Sequence, residues 1–352
     1  MKIERGNTNA WRLASISNGG LTMQNKEKDV IYCGVREGRI DTAQPLVISE
    51  NIDLFAHWIE ERYKVHLRKE AGKPQPWTED PIIANYRFTN VRREQDRQTK
   101  YLIDNIVNNS ELTIRDKVIN IILFRYWNVW QTMKDFGGPW TRKELMTSAP
   151  YDHATDVYNS FMAKTRKHGF FTGAFLTSGA RIGVKTAFNT DNAATGAFFL
   201  AQFAIKNRIP ERVIKAADQK ESYEVFKELP GVANFLGYQM WVDCTYIPDF
   251  PFSENEFTVA GPGCKNGLRR LFKSTDGMTP EECVFWLRDN LPILEPDLRP
   301  MDFMADLPEE DRFLSVMSLE NCLCEFSKYH RAYIDQGRPK QKYTPYTGEE
   351  DG

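Results

Sequence analysis

The residues of this chain that could do chemistry are two glycine turns, a few isolated carboxylates and some paired cations. Leu229-Pro230-Gly231-Val232 is a tight turn, and Phe235, Tyr238, Gln239, Val242 and Asp243 follow it at near-helical spacing. A turn that feeds a helix N-terminus exposes backbone N–H groups, which suit a phosphate. Gly261-Pro262-Gly263 is a second glycine turn, trailed by Cys264, Lys265, Arg269 and Arg270. Its glycines let the backbone approach a ligand closely, and Lys265 adds a point charge, although a plain surface turn has the same composition. Asp243 interrupts the apolar stretch WVDCTY. A buried carboxylate is costly unless paired, so Asp243 is either a structural cap or partner, or a general base or electrostatic stabiliser whose pKa burial raises.

Two further groups depend on helical spacing. Arg93 and Arg97 are four residues apart, which on a helix points both guanidinium forks the same way. They form either a two-arginine phosphate clamp or part of a solvated, ion-paired face. Asn321, Glu325 and Lys328 fall at i, i+4 and i+7, so they share a face. That face is a polar stripe entering a site, or an ordinary surface pair of Glu325 with Lys328. Cys244 and Cys324 read as small buried hydrophobes. The common signatures are absent: there is no GxxxxGK(S/T), no GxGxxG after a strand, no HExxH and no GxSxG.

The elements that must position these residues are mostly helical. Residues 1–46 read as a ragged arm with one hairpin. Residues 47–72 place Leu54, Trp58, Ile59, Tyr63 and Leu67 near one helical face. A breaker with Pro74 and Pro76 follows. The periodicity predicts a polar helix over 86–108, a strongly apolar central helix over 116–136 ended by Gly137-Gly138-Pro139, and one or two helices over 143–167. A Gly-punctuated aromatic turn spans 168–175. Further helices are predicted over 193–207, 209–227, within 274–290 and over 313–335. The expected fold is mainly α with a small β element near the N-terminus. The expected organisation is an N-terminal extension (1–80), a helical catalytic domain (81–335) with a helix–hairpin–helix near 229–246, and a disordered tail (336–352).

Composition narrows the class. The chain has 352 residues, 41% hydrophobic and 27% charged, as in ordinary globular proteins. The 12% aromatic content suits a large core before it suits base-stacking platforms. A formal net charge of −2 gives no global basic signature, so nucleic acid would need a local basic groove. Six cysteines without a CxxC pair, and five histidines, speak against a zinc site, so no metal and no cofactor are expected. The start has no signal-like apolar run and no stretch reaches membrane-spanning length, so a cytoplasmic protein without membrane contact is expected, in a bacterial host or phage-infected cell. Oligomeric state is not legible.

Two resemblances meet in these motifs. ELPGVANFLGYQMWVD resembles the hairpin of helix–hairpin–helix DNA glycosylases, with Ala233 in place of the second glycine and Pro262 near where their catalytic Asp stands. More specifically, five ordered motifs resemble a phage-associated family, the α-glutamyl/putrescinyl-thymine pyrophosphorylases or amino acid:DNA transferases, together with the helical domain of 5-hydroxymethyluracil DNA kinases. The motifs are YRFTNVxREQDRxT read loosely over 86–99, FFTGAF (170–175), LPGVxxFLxYQ (229–239), GPG (261–263) and LCEFxKY (323–329).

The resemblance implies hypermodification of thymine in DNA: an amino acid or polyamine displaces pyrophosphate from 5-(pyrophosphoryloxymethyl)uracil. It implies a leaving group held by Arg93, Arg97, Lys265 and the Gly261–Gly263 turn. Asp243 or Glu325 would be the base, with Lys328 beside it. Tyr86, Phe171 or Tyr238 would stack on a flipped base. Asn90, Thr172, Gly231, Gln239 and Asn321 complete the implied substrate- and DNA-binding set. The implied partners are DNA with a modified pyrimidine and an amino acid or polyamine co-substrate. Excision of a bulky modified pyrimidine, or a non-catalytic DNA-binding helical module, are the alternatives.

Overall fold

The computed structural model describes residues 47–162, 169–173, 177–295, 297–298, 313–339 and 341–343, with the backbone of short strands before residue 49. In chain order β1 (Arg12–Leu13), β2 (Val30–Tyr32), β3 (Gly34–Arg36), β4 (Arg39–Ile40) and β5 (Leu46–Ile48) precede α1 (Asn51–Glu70) and α2 (Pro81–Asn85). Then come α3 (Arg97–Leu102), α4 (Ile114–Trp127), α5 (Trp130–Asp135), α6 (Arg142–Leu145), α7 (Ala149–Met162) and α8 (Ser178–Phe188). They are followed by α9 (Ala193–Lys206), α10 (Ile209–Lys215), α11 (Gln219–Phe226) and α12 (Asn234–Cys244). Last are α13 (Pro262–Leu271), β6 (Phe272–Thr275), α14 (Pro280–Leu294) and α15 (Val316–Tyr333). The protein is mainly helical, as the periodicity predicts, with little β structure.

Two compact units emerge. The first takes its described residues from 46–93 and 260–343, the second from 94–259. The sequence places a boundary at residue 80, but α1 packs on α13 and α15, and that contact keeps 47–93 with the C-terminal helices. In the first unit Phe55 of α1 meets Phe326 of α15 at 5.0 Å between ring centroids, and Tyr329 donates to Asp80 Oδ2 at 2.7 Å. Asp80 also caps α2 by accepting from Ile82 N and Ile83 N. Strand β5 lies between β2 and β6, antiparallel to both, so a β strand at 272–275 joins the N-terminal β element where the sequence suggested none. The tail expected to be disordered is ordered at 341–343: Arg87 N donates to Gln341 O and Tyr343 N to Asn85 O, each at 3.0 Å.

The second unit is built around α4. Thr113 and Asp116 form a reciprocal capping box at its start. From Val118 to Trp127 every residue is buried, as expected for a helix apolar all round. It packs against α9, α10 and α12. The long helix predicted over 116–136 breaks at Asn128, which is left-handed (φ 51°), and α5 restarts at Trp130. Helix α8 was not foreseen in the sequence.

Candidate functional site

In the first unit the helix α13 lies along α15 at two glycines one turn apart. A Cβ at Gly263 would overlap Cys324 Sγ, and one at Gly267 would overlap the Leu323 carbonyl. This Gly-x-x-x-Gly spacing lets the two backbones approach, and it fixes where α13 begins. At that start Gly261 N–H donates to Glu320 Oε1 at 3.1 Å, and Ala260 N–H donates to Glu281 Oε1 at 3.0 Å. The glycines of the Gly-Pro-Gly turn therefore face α15, and the Gly261 amide is engaged by a carboxylate. This changes the expectation of an open phosphate cradle at Gly261 and Gly263. Lys265 stands on the exposed face of the helix, as does Arg269.

Glu320 is the most perturbed carboxyl described here. Burial pushes it up to about 7, opposed by the Gly261 N–H and the Arg93 charge and reinforced by the Glu281 charge. Around it α15 draws in the first motif. Asn321 Nδ2 donates to Thr89 Oγ1 (3.0 Å) and Asn90 O (3.4 Å). Glu325 Oε2 accepts from Thr89 N at 3.4 Å, while its Oε1 accepts from Lys328 Nζ at 2.5 Å. Asn90 Oδ1 accepts from Arg62 Nη2 at 2.6 Å. The stripe Asn321–Glu325–Lys328 thus exists as read, but Glu325 is buried and only Lys328 reaches the surface. Tyr86 lies in a cleft of about 290 Å³ lined also by Pro81, Ile82, Asn85, Ala332, Arg338 and Lys342.

The two-arginine clamp does not form as the spacing predicts. The chain over 86–96 is not one helix: Arg93 sits in a 3-10 turn (Arg93–Gln95), and Asp96 is extended before α3 starts at Arg97. Arg93 is buried and belongs to the first unit; Arg97 is exposed and belongs to the second. Without a continuous helix, four residues of separation no longer align the two guanidinium groups.

In the second unit Asp243 is fully buried on α12 and paired with Arg125 of α4, itself 2% exposed. Arg125 Nη2 donates to Asp243 Oδ1 at 2.9 Å and Nε donates to Oδ2. The same guanidinium donates to Asn128 Oδ1 (2.6 Å) and Thr99 Oγ1 (3.0 Å). A bidentate partner of this kind occupies both carboxylate oxygens, which is the structural alternative left open for Asp243. Sequence reasoning overlooked Arg125. The signal was present: a lone arginine in the apolar run NIILFRYW, matched by a lone aspartate in WVDCTY.

The turn between α11 and α12 has Gly231 at φ 77°, a conformation that disfavours a side chain. Its backbone rests on α8: a Cβ at Gly231 would meet Ala180 Cα at 2.8 Å, and one at Gly183 would overlap the Gly231 backbone. Tyr238 is not an open stacking platform. It is 2% exposed, stacked on Trp241, and donates to Thr258 Oγ1 at 3.1 Å. Gln239 is buried as well. Phe171 is half-buried, with the Arg181 guanidinium 5.0 Å from its ring centroid and Tyr126 edge-on, and Thr172 N donates to Trp127 O at 3.1 Å. Among the described residues no helix is long and apolar enough to cross a membrane, and no group of three or more His, Cys, Asp or Glu could hold a metal ion.

A mainly helical protein whose ordered motifs converge on α13 and α15 matches one family. The model of the 5-hmdU DNA kinase helical domain covers residues 49–338, and the chain belongs to that family. A similar protein is the 5-hmdU DNA kinase of Bacillus phage SP10, 24% identical over 310 residues, which are 82% of this chain and 47% of that protein. The chain thus spans about half the length of this relative. No solved structure matches it.

Proposed function

We propose that the chain is a DNA base-hypermodification enzyme acting on 5-hydroxymethyluracil-derived pyrimidine, and that it transfers an amino acid or polyamine to 5-(pyrophosphoryloxymethyl)uracil. The observation that carries this reading is the family match over 49–338 in a sequence with no Walker-type motif. In the reaction the amine forms an N–C bond to the exocyclic methylene, the C–O bond to pyrophosphate breaks with its electron pair, and the nitrogen loses one proton to a base. The base assigned here is Glu320. Its carboxyl titrates near neutral pH, which a base working at neutral pH requires, and it neighbours Arg93, a cation suited to the leaving group. Glu325 with Lys328 is the second acid–base pair of the same helix. Asp243 takes a positioning role through Arg125.

The test is incubation of DNA carrying 5-(pyrophosphoryloxymethyl)uracil with glycine or a polyamine. Released pyrophosphate and a nucleoside adduct by mass spectrometry are expected, with the Glu320→Gln variant losing activity and its neutral-pH inflection. Free base and an abasic site would instead establish a glycosylase. DNA binding with neither product would leave a binding module.

A further inference from the structure

The amide of Gln131 stands out among the buried polar groups of the second unit. The residue is 5% exposed, and neither its Nε2 nor its Oε1 has a hydrogen-bond partner among the described residues. Buried carboxamides are ordinarily satisfied, because a donor and an acceptor taken from water without replacement are both destabilising. Its neighbour Trp130 repeats the pattern, with a buried indole Nε1 that also lacks a partner.

The setting of these groups is rigid. The Trp130 ring lies 5.4 Å from that of Tyr101, which stacks on Phe124 at 5.9 Å and 12°. Trp130 and Tyr101 are both only half-buried. Trp130 N donates to Gln98 Oε1 at 2.8 Å, which fixes the first turn of α5. The left-handed bend at Asn128 that aims α5 is held by Arg125, the same guanidinium that grips Asp243. The buried ion pair, the bend and the unpaired amide form one connected support, as a preorganised binding group requires.

We infer that the Gln131 carboxamide reads the imide edge of a uracil-type base, its Nε2–H donating to a base carbonyl and its Oε1 accepting the N3–H. Complementarity carries the inference: a carboxamide presents one donor and one acceptor side by side, and the imide edge presents the reverse. The half-exposed aromatic pair beside it offers ring faces of the kind an unstacked base occupies. This inference rests on the proposed action on a modified pyrimidine in DNA and names the group that recognises it.

The test uses the full chain and two oligonucleotides, one with a single 5-hydroxymethyluracil and one with its N3-methyl derivative, which lacks the N3–H. Fluorescence anisotropy should show the wild type preferring the unmethylated base by about tenfold or more, the range of a good bidentate contact. Gln131→Met and Gln131→Glu should each bring that preference close to unity. Equal binding of both oligonucleotides by the wild type, or a preference that survives in either variant, overturns the inference while leaving the proposed function standing. Absence of binding to both oligonucleotides, with no pyrophosphate released from the substrate DNA, overturns both.

Discussion

Two buried carboxylates, one in each unit, are treated in opposite ways. Asp243 is fully buried and meets a guanidinium with both oxygens. Glu320 is nearly as buried, yet the hydrogen bond described for its carboxylate is from a backbone amide, and burial lifts its pKa to about 7. The first arrangement keeps a charge in place at all ordinary pH values. The second leaves a proton that can be gained or lost near neutrality. Fixed charge suits scaffolding, and a poised proton suits chemistry. This difference moves the catalytic bet from α12 to α15.

The largest expected effect comes from breaking the fixed pair. Asp243→Asn leaves the Arg125 guanidinium buried without its counter-charge, and equilibrium denaturation should show a loss of about 3–5 kcal/mol. A cost below about 1 kcal/mol would mean that the pair is not the anchor described here.

Next comes the pH dependence of Glu320. Its folded pKa lies above the ordinary 4.5, so the folded chain keeps a proton that the unfolded chain releases. The resulting stabilisation is complete below pH 4.5 and is lost as pH rises through about 7. At about 1.4 kcal/mol per pH unit the window from 4.5 to about 7 amounts to about 3 kcal/mol. Glu320→Gln should remove this decline, so that the variant gains on the wild type in thermal unfolding at pH 8 and not at pH 4. A parallel pH dependence in the two proteins would contradict the assignment.

Gly267→Ala should cost about 1–3 kcal/mol or more, because the added Cβ meets the Leu323 carbonyl and forces α13 off α15. Its second readout is the pH midpoint assigned to Glu320, which should fall toward the usual carboxylate range as the α13 N-terminus loosens and water enters. The smallest effect is expected for Lys328→Met. The Lys328 side chain is 38% exposed, so its pair with Glu325 should contribute no more than about 1 kcal/mol, detectable by a double-mutant cycle.

Much of the helical plan could be read directly. The all-round apolar run gave α4, the Thr279-Pro280-Glu281-Glu282 start gave α14, and the polar stripe on 313–335 gave α15. The misreadings have local causes. Residues 86–108 carry helix-forming residues, but Asn90 and Asn321 fix a tertiary connection between the first motif and α15 that propensity does not see. Gly261-Pro262-Gly263 looked like a ligand turn because glycine serves close approach to a helix as readily as to a phosphate. Tyr238 looked like a platform because its ring faces other aromatics, and only burial shows that those belong to the core.

By itself the sequence determined the helical class, the position of the Leu-Pro-Gly-Val turn and the set of motifs that mark the family. These are matters of short-range spacing and residue type, which a single chain displays in order. The tertiary structure alone decided which charges meet. Arg125 and Asp243 are 118 residues apart, and Gly261 and Glu320 are 59 apart. Periodicity constrains the face on which a side chain emerges but not the partner that the packed helices bring to it. That choice set one carboxylate as a fixed anchor and left the other able to exchange its proton.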